Sequence, residues 1–183
     1  MPYSTIFNIT DYGAIPNGET LCTEAFRTAI EKCSEAGGGT VYVPAGRFLT
    51  GPIHLITNTN LHLDAGAVLL FSQELKDYPT VQSRWEGEES EVYSPLIYGK
   101  GVRNVSVTGH GLLDGQGTPW WKGHRERTLQ YPRPRFICFE DSEKVLIDGV
   151  EIINSPAWTV NPVRCNNVTI NGITIKNPAD SPN

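Results

Sequence analysis

The sequence predicts a parallel β-helix closed at its N-terminal end by one amphipathic helix. Three observations carry the prediction. The stretch from Val145 to Pro178 repeats itself. Val145, Ile147, Gly149, Val150, Ile152 and Asn154 recur as Val168, Ile170, Gly172, Ile173, Ile175 and Asn177, an offset of 168 − 145 = 23. A third copy, Val105-Ser-Val-Thr-Gly109, leads Val145 by 145 − 105 = 40, which is one turn carrying an inserted loop. Within each copy apolar residues alternate, a Gly breaks the run and β-branched residues resume, so each copy reads as two strands joined by a bend. A fixed period in the low twenties stacks each turn on the last about 4.8 Å away. Leucine-rich repeats share the period, but their Leu-x-x-Leu-x-Leu frame is missing. The other alternative is a chance likeness between two strands of a sandwich.

Taken in order, Phe7 and Ile9 alternate as a short strand ending at Asp11-Tyr-Gly13, and Ala14 to Gly18 reads as a loop. Thr23 to Cys33 reads as a helix. Ala25, Phe26, Ala29, Ile30 and Cys33 fall on one face, and Gly37-Gly-Gly39 stops it. A lone amphipathic helix ahead of a strand stack suits the open apolar end of the first coil. Strands follow at Val41–Val43, Phe48–Leu49, Ile53–Leu55, Leu61–Leu63 and Val68–Phe71. Pro44-Ala-Gly46, Gly51-Pro52 and Ala65-Gly66 turn between them. From Ser72 to Ser94 the pattern dissolves into a polar stretch with Glu86, Glu88, Glu89 and Glu91, expected to be a long surface loop. A second excursion runs from Gly117 to about Arg135. The expectation is one domain over residues 1–183, with a cap over about 1–40 and coils over about 41–183.

At 183 residues one domain is the default, long enough to bury a core. A net charge of −5 and a pI of about 5.4 argue against nucleic acid and anionic membranes as partners. No apolar run approaches the ~20 residues of a membrane span. Met1-Pro-Tyr-Ser-Thr-Ile6 has neither a basic start nor an apolar core, so no signal peptide is read. The expectation is a cytoplasmic protein, or a secreted one if the true N-terminus is missing. Cys22, Cys33, Cys138 and Cys165 lack metal-ligand spacing and read as free thiols of a reduced compartment, with disulfides as the alternative. Asn8-Ile-Thr10, Asn104-Val-Ser106 and Asn167-Val-Thr169 match the glycosylation pattern but fall in predicted strands.

The second excursion carries Trp120 and Trp121 beside His124, Arg125, Arg127, Arg133 and Arg135. Aromatic faces stack on sugar rings and guanidinium forks pair with carboxylates, so this composition suits a sugar acid. Equally, the tryptophans could plug the loop against the coils and the arginines be solvated. Trp158 sits where a turn leaves a coil and reads as core or platform. Asp114, in Leu113-Asp-Gly115, reads as a turn residue rather than a catalytic acid, and Asp64 and Asp148 occupy similar turns. His54 and His62 alternate with apolar neighbours and read as surface or satisfied core positions, and His110 as structural. No metal-ligand cluster and no phosphate loop is present. The residues alone yield a fold and a sugar-acid surface, but no catalytic constellation.

Asp11-Tyr-Gly-Ala14, Gly37-Gly-Gly-Thr-Val-Tyr-Val-Pro-Ala-Gly46 and Gly66-Ala67 resemble the N-terminal block of the pectin-lyase-like right-handed β-helix proteins. Phe48-Leu-Thr-Gly-Pro-Ile-His-Leu55, Arg84-Trp-Glu-Gly87 and Tyr93-Ser-Pro-Leu-Ile-Tyr98 are more specific. So are Gly109-His-Gly-Leu-Leu-Asp-Gly-Gln-Gly117 with Trp120-Trp121, Arg133-Pro-Arg-Phe136 and Asn154-Ser-Pro-Ala-Trp158. Together they resemble glycoside hydrolase family 28, the polygalacturonases, with the bacterial exo-acting type nearest. Leu21 departs from relatives that carry Asp at the start of the helix. The resemblance implies inverting hydrolysis of α-1,4 galacturonosyl bonds in pectic polysaccharide or oligogalacturonate, without metal or other cofactor. It implies that the catalytic residues follow Asn183, which matches the first position of the family's Asn-Thr-Asp-Gly motif, so residues 1–183 are expected to be inactive. Asn183, Trp158, Asn161 and Arg84 are the substrate-binding candidates it implies, with Trp120, Trp121 and Arg133 from the second excursion. A pectic lyase or epimerase of the same fold, or a non-catalytic sugar-binding β-helix, are the alternatives. A coil stack cut between turns is also expected to self-associate through its open end.

Overall fold

In the computed structural model, which describes residues 5–182, the chain winds in turn through three parallel sheets. The first turn contributes β1 (Ile6–Asn8) and β2 (Asn17–Leu21), then α1 (Thr23–Glu35) where later turns have a third strand. The second turn is β3 (Gly39–Val43), β4 (Gly46–Thr50) and β5 (Ile53–His54). The third runs β6 (Thr59–Leu63) and β7 (Ala67–Phe71), then the hairpin β8 (Thr80–Trp85) and β9 (Glu88–Tyr93), before β10 (Ile97–Lys100). The fourth runs β11 (Arg103–Gly109) and β12 (Leu112–Asp114), then α2 (Thr118–Glu126), before β13 (Ile137–Glu140). The fifth is β14 (Glu143–Asp148), β15 (Glu151–Ile153) and β16 (Val160–Val163); β17 (Asn166–Asn171) and β18 (Thr174–Lys176) open the sixth. This is a right-handed parallel β-helix. The strands of each position stack into sheets β1-β3-β6-β11-β14-β17, β2-β4-β7-β12-β15-β18 and β5-β10-β13-β16.

The repeat seen in the sequence is the register of the coils. Val145 pairs with Val168, Ile147 with Ile170 and Ile152 with Ile175; one turn earlier, Val105 and Val107 pair with Val145 and Ile147. Apolar ladders therefore run along the axis: Phe7-Val41-Leu61-Val107-Ile147 in the first sheet, Phe48-Leu69-Leu113-Ile152 in the second, Ile53-Ile97-Ile137-Val160 in the third. Burying each such side chain contributes roughly 1.5–3 kcal/mol. Ile147 and Ile152 are buried, whereas Ile170 and Ile175 are each 45% exposed, because among the described residues no further rung lies over them. Gly109 and Gly149 make the corner between the first and second sheets with φ of 111° and 78°. A Cβ at Gly109 would stand 1.9 Å from the Leu63 carbonyl oxygen, so only glycine fits there.

α1 buries Ala25, Phe26, Ala29, Ile30 and Cys33, the face read from the sequence, and runs two residues beyond the expected Cys33. It stands in the place of a first strand of the third sheet and covers the end of the apolar ladders. Three expectations require correction. Ile9 belongs to a 3-10 turn closed by Gly13, not to the first strand, and β2 begins at Asn17, inside the expected loop. The stretch from Ser72 to Ser94 is not a loop. It forms a 3-10 turn at Leu75–Asp77 and the antiparallel pair β8–β9, joined by Glu86 and Gly87, both at positive φ, the geometry a two-residue hairpin demands. The excursion from Gly117 to Arg135 contains α2, which starts with Pro119 in its first turn, where a missing N–H is harmless.

Both insertions leave the coil at the same corner, between the second and third sheets, and they pack on each other. Trp120 on α2 meets Tyr78 and Tyr93 edge-on at centroid distances of 5.0 and 5.1 Å, and the Tyr93 N–H donates to the Pro132 carbonyl. All four cysteines are free thiols; Cys165 alone is not fully buried.

Candidate functional site

The hairpin lies over the outer face of the third sheet. Along that face His54, Tyr98, Cys138 and Asn161 stand in one row. Tyr98 and Cys138 are buried, Asn161 is half-buried, and the face emerges from under the hairpin at β16. Three depressions meet there. The largest, about 850 Å³, lies between the hairpin tip (Trp85, Glu86), the C-terminal end of α2 and its following loop, and the Trp158 turn. His124, Arg125, Arg127 and Arg133 line it, against one carboxylate, Glu86. A second, about 370 Å³, takes Arg84, Trp158, Asn161 and Arg164; a shallow third runs over Trp158 to Asn161.

The ridge between them is a pair of stacked indoles, Trp85 from the hairpin and Trp158 from the coil, with centroids 4.6 Å apart and planes at 17°. Trp158 remains 36% exposed. Arg133 is largely buried; its Nη1 donates to the Pro156 carbonyl at 2.9 Å and to the Pro182 carbonyl, and burial pulls its pKa down from the usual guanidinium value. Arg125 Nη1 donates to the Asp180 carbonyl at 2.9 Å, so two arginines of the second excursion hold the segment after β18. His124 is shifted below the ordinary imidazole value, by partial desolvation first and by the Arg133 and Arg125 charges next.

Beneath the ridge lies a buried polar group that sequence reasoning left unassigned. Arg135, fully buried, pairs with Glu140, also fully buried, at 3.3 Å, while Lys100 approaches the other Glu140 oxygen at 3.6 Å. Cys138 packs beside them. Desolvation pushes its thiol up to about 12, which keeps it protonated and unreactive.

Of the candidates read from the sequence, Trp158, Asn161, Arg84 and Arg133 come together around these depressions. Trp120 and Trp121 do not. Trp120 is fully buried between the hairpin and the coil, and Trp121 is buried over Gly117 with Nε1 donating to the Ser155 carbonyl at 2.9 Å. They plug the insertion, because an indole in contact with Tyr78, Tyr93 and the coil has no solvent face left. Trp85, named in the sequence only within a motif, is half-buried and walls the cavity by stacking on the exposed Trp158. Asn183 lies outside the described residues. Asp114 is a turn residue: its Oδ1 accepts from the Gln116 N–H and from Asn154 Nδ2, both at 2.9 Å. Asp64 and Asp148 are held likewise by Tyr42 and Ala65, and by Asn171. Among the described residues, no group of three His, Cys, Asp or Glu side chains is placed to hold a metal.

Three stacked parallel sheets with insertions at one corner define a parallel β-helix of the pectin-lyase type. Within that class the chain belongs to glycosyl hydrolases family 28, whose family model matches residues 33–183. It is 38% identical to a "Probable polygalacturonase" of Vitis vinifera over 96% of its own length and 38% of that protein's. It is 30% identical to the "Exo-poly-alpha-D-galacturonosidase" of Dickeya chrysanthemi over 96% of its length and 33% of the relative's. The crystal structure of a hyperthermoactive exopolygalacturonase from Thermotoga maritima superposes with a TM-score of 0.86 at 37% identity, covering 94% of this chain and 47% of that one. The chain thus spans a third to two fifths of the length of the curated relatives named here.

Proposed function

We propose that this chain supplies the N-terminal coils and part of the sugar-acid cleft of a polygalacturonase, a hydrolase that cleaves α-1,4 galacturonosyl bonds of pectin with inversion. The observation that carries the reading, beside family membership, is the convergence of Arg125, Arg127 and Arg133 on a cavity walled by Trp85 and Trp158. A galacturonate unit has an apolar ring face and a carboxylate edge, and those side chains answer both. Inverting hydrolysis needs an acid and a base about 6.5–9.5 Å apart on opposite sides of the bond. Among the described residues one carboxylate, Glu86, lines the cavity. Residues 1–183 therefore bind without hydrolysing. In a reducing-end assay on polygalacturonate they match buffer. Joining them to the native downstream coils gives turnover, and changing the first downstream aspartate to Asn removes it. Turnover by residues 1–183 alone would overturn this division of labour, and an inert extended protein would overturn the polygalacturonase reading.

A further inference from the structure

We propose that Asn161 Nδ2 is a hydrogen-bond donor to the sugar acid and that buried Arg135 is the residue that positions it; the proposal rests on the uronate-binding reading above. Arg135 reaches three elements. Its Nη1 donates to Asn161 Oδ1 on β16 at 2.9 Å and to the Arg84 carbonyl on β8 at 3.0 Å. Its Nη2 donates to Ser83 Oγ on β8 and to Glu140 Oε1 on β13 at 3.3 Å. A guanidinium has donors and no acceptor, so the amide atom that faces it must be the oxygen. The Asn161 amide is thereby locked, with its NH₂ on the side away from Arg135. Among the described residues nothing accepts from that NH₂, and Asn161 lines both depressions flanking Trp158.

A fixed donor beside a half-exposed indole matches a sugar acid stacked on the ring with its oxygens at the ring's edge. The same guanidinium sets the indole wall. By holding the Arg84 carbonyl it fixes the end of β8, and so the stacking of Trp85 on Trp158. Clamping the hairpin would need only the bonds to Ser83, Arg84 and Glu140. The bond to Asn161 adds an oriented donor at the edge of the cleft. The positive charge of Arg135 is answered by Glu140, so Arg135 contributes orientation there rather than attraction for the ligand.

Asn161→Asp separates binding from folding. The side chain keeps its size and an oxygen on Arg135, so the thermal midpoint and the circular-dichroism couplet of the stacked indoles hold. The donor, however, becomes a carboxylate facing an anionic sugar. Trigalacturonate titrated into residues 1–183, followed by tryptophan fluorescence and calorimetry, should bind the variant about tenfold or more weakly. Arg135→Lys cannot hold Asn161 and the Arg84 carbonyl together, so it should weaken binding and shrink the couplet. Equal binding by Asn161→Asp and the unaltered chain would overturn the proposal and leave the uronate-binding reading intact. An Arg135→Lys chain with unchanged couplet and affinity would remove the positioning role. No binding by the unaltered chain would overturn the uronate-binding reading and the proposal with it.

Discussion

His124 at the mouth of the cavity ties binding to pH. Desolvation and the neighbouring Arg133 and Arg125 charges hold its pKa below 6.5, so it is neutral at pH 7 and gains its proton as pH falls through that lowered value. A bound uronate favours the charged imidazole. Trigalacturonate affinity should therefore rise as pH falls below about 6.5 through that lowered value, until the uronate carboxyl itself begins to protonate. His124→Ala should flatten the profile. Affinity that falls over this window in the unaltered chain would exclude an anion beside His124. At this scale the sequence marks residue types but not their exposure. Trp120, Trp121, Trp85 and Trp158 are alike as letters. Trp120 is buried by tyrosines of an insertion far upstream, while Trp158 is left open by a hairpin that stacks on only one of its faces.

The coil strands were legible because each has one face on the axis, which enforces alternation, and because the 23-residue offset exposes the register. The hairpin was not. It packs one face on the polar outer row of the third sheet, so Ser83 faces inward where an apolar residue would have signalled a strand, and Glu86, Glu88, Glu89 and Glu91 are all exposed. The signal that could have revealed it is Trp85-Glu-Gly-Glu88, a glycine-containing two-residue turn between β-prone residues. Arg135 was hidden for the same reason, since its partners on β8 and β16 are set by tertiary packing. α2 shows what the insertions owe to each other. Trp120→Ala would empty the space between α2, Tyr78 and Tyr93, at a cost of about 3–5 kcal/mol. Calorimetry would register it as a large drop in melting temperature. A midpoint within a degree or two of the unaltered protein's would mean that the two insertions do not brace each other.

At the scale of the whole stack, the two ends of the described residues 5–182 differ. α1 covers the ladders at one end, while at the other Ile170 and Ile175 lie half exposed beside the unpaired edges of β17 and β18. An open strand edge with apolar residues beside it is a template for a second chain. Residues 1–183 should form dimers or larger species at micromolar concentration, and Ile170→Lys should disperse them. A monomer by light scattering across that range would show that the exposed rung is tolerated. The α1 cap gives the coils a direction in time. Each rung pairs only with the rungs before and after it. The distance along the chain between partners is short, 61 − 41 = 20 residues from Val41 to Leu61 and 107 − 61 = 46 where the hairpin intervenes. A chain emerging from the ribosome can therefore nucleate on α1 and grow one turn at a time, each finished turn serving as the mould for the next. The corner insertions lengthen the wait between turns without changing the mould.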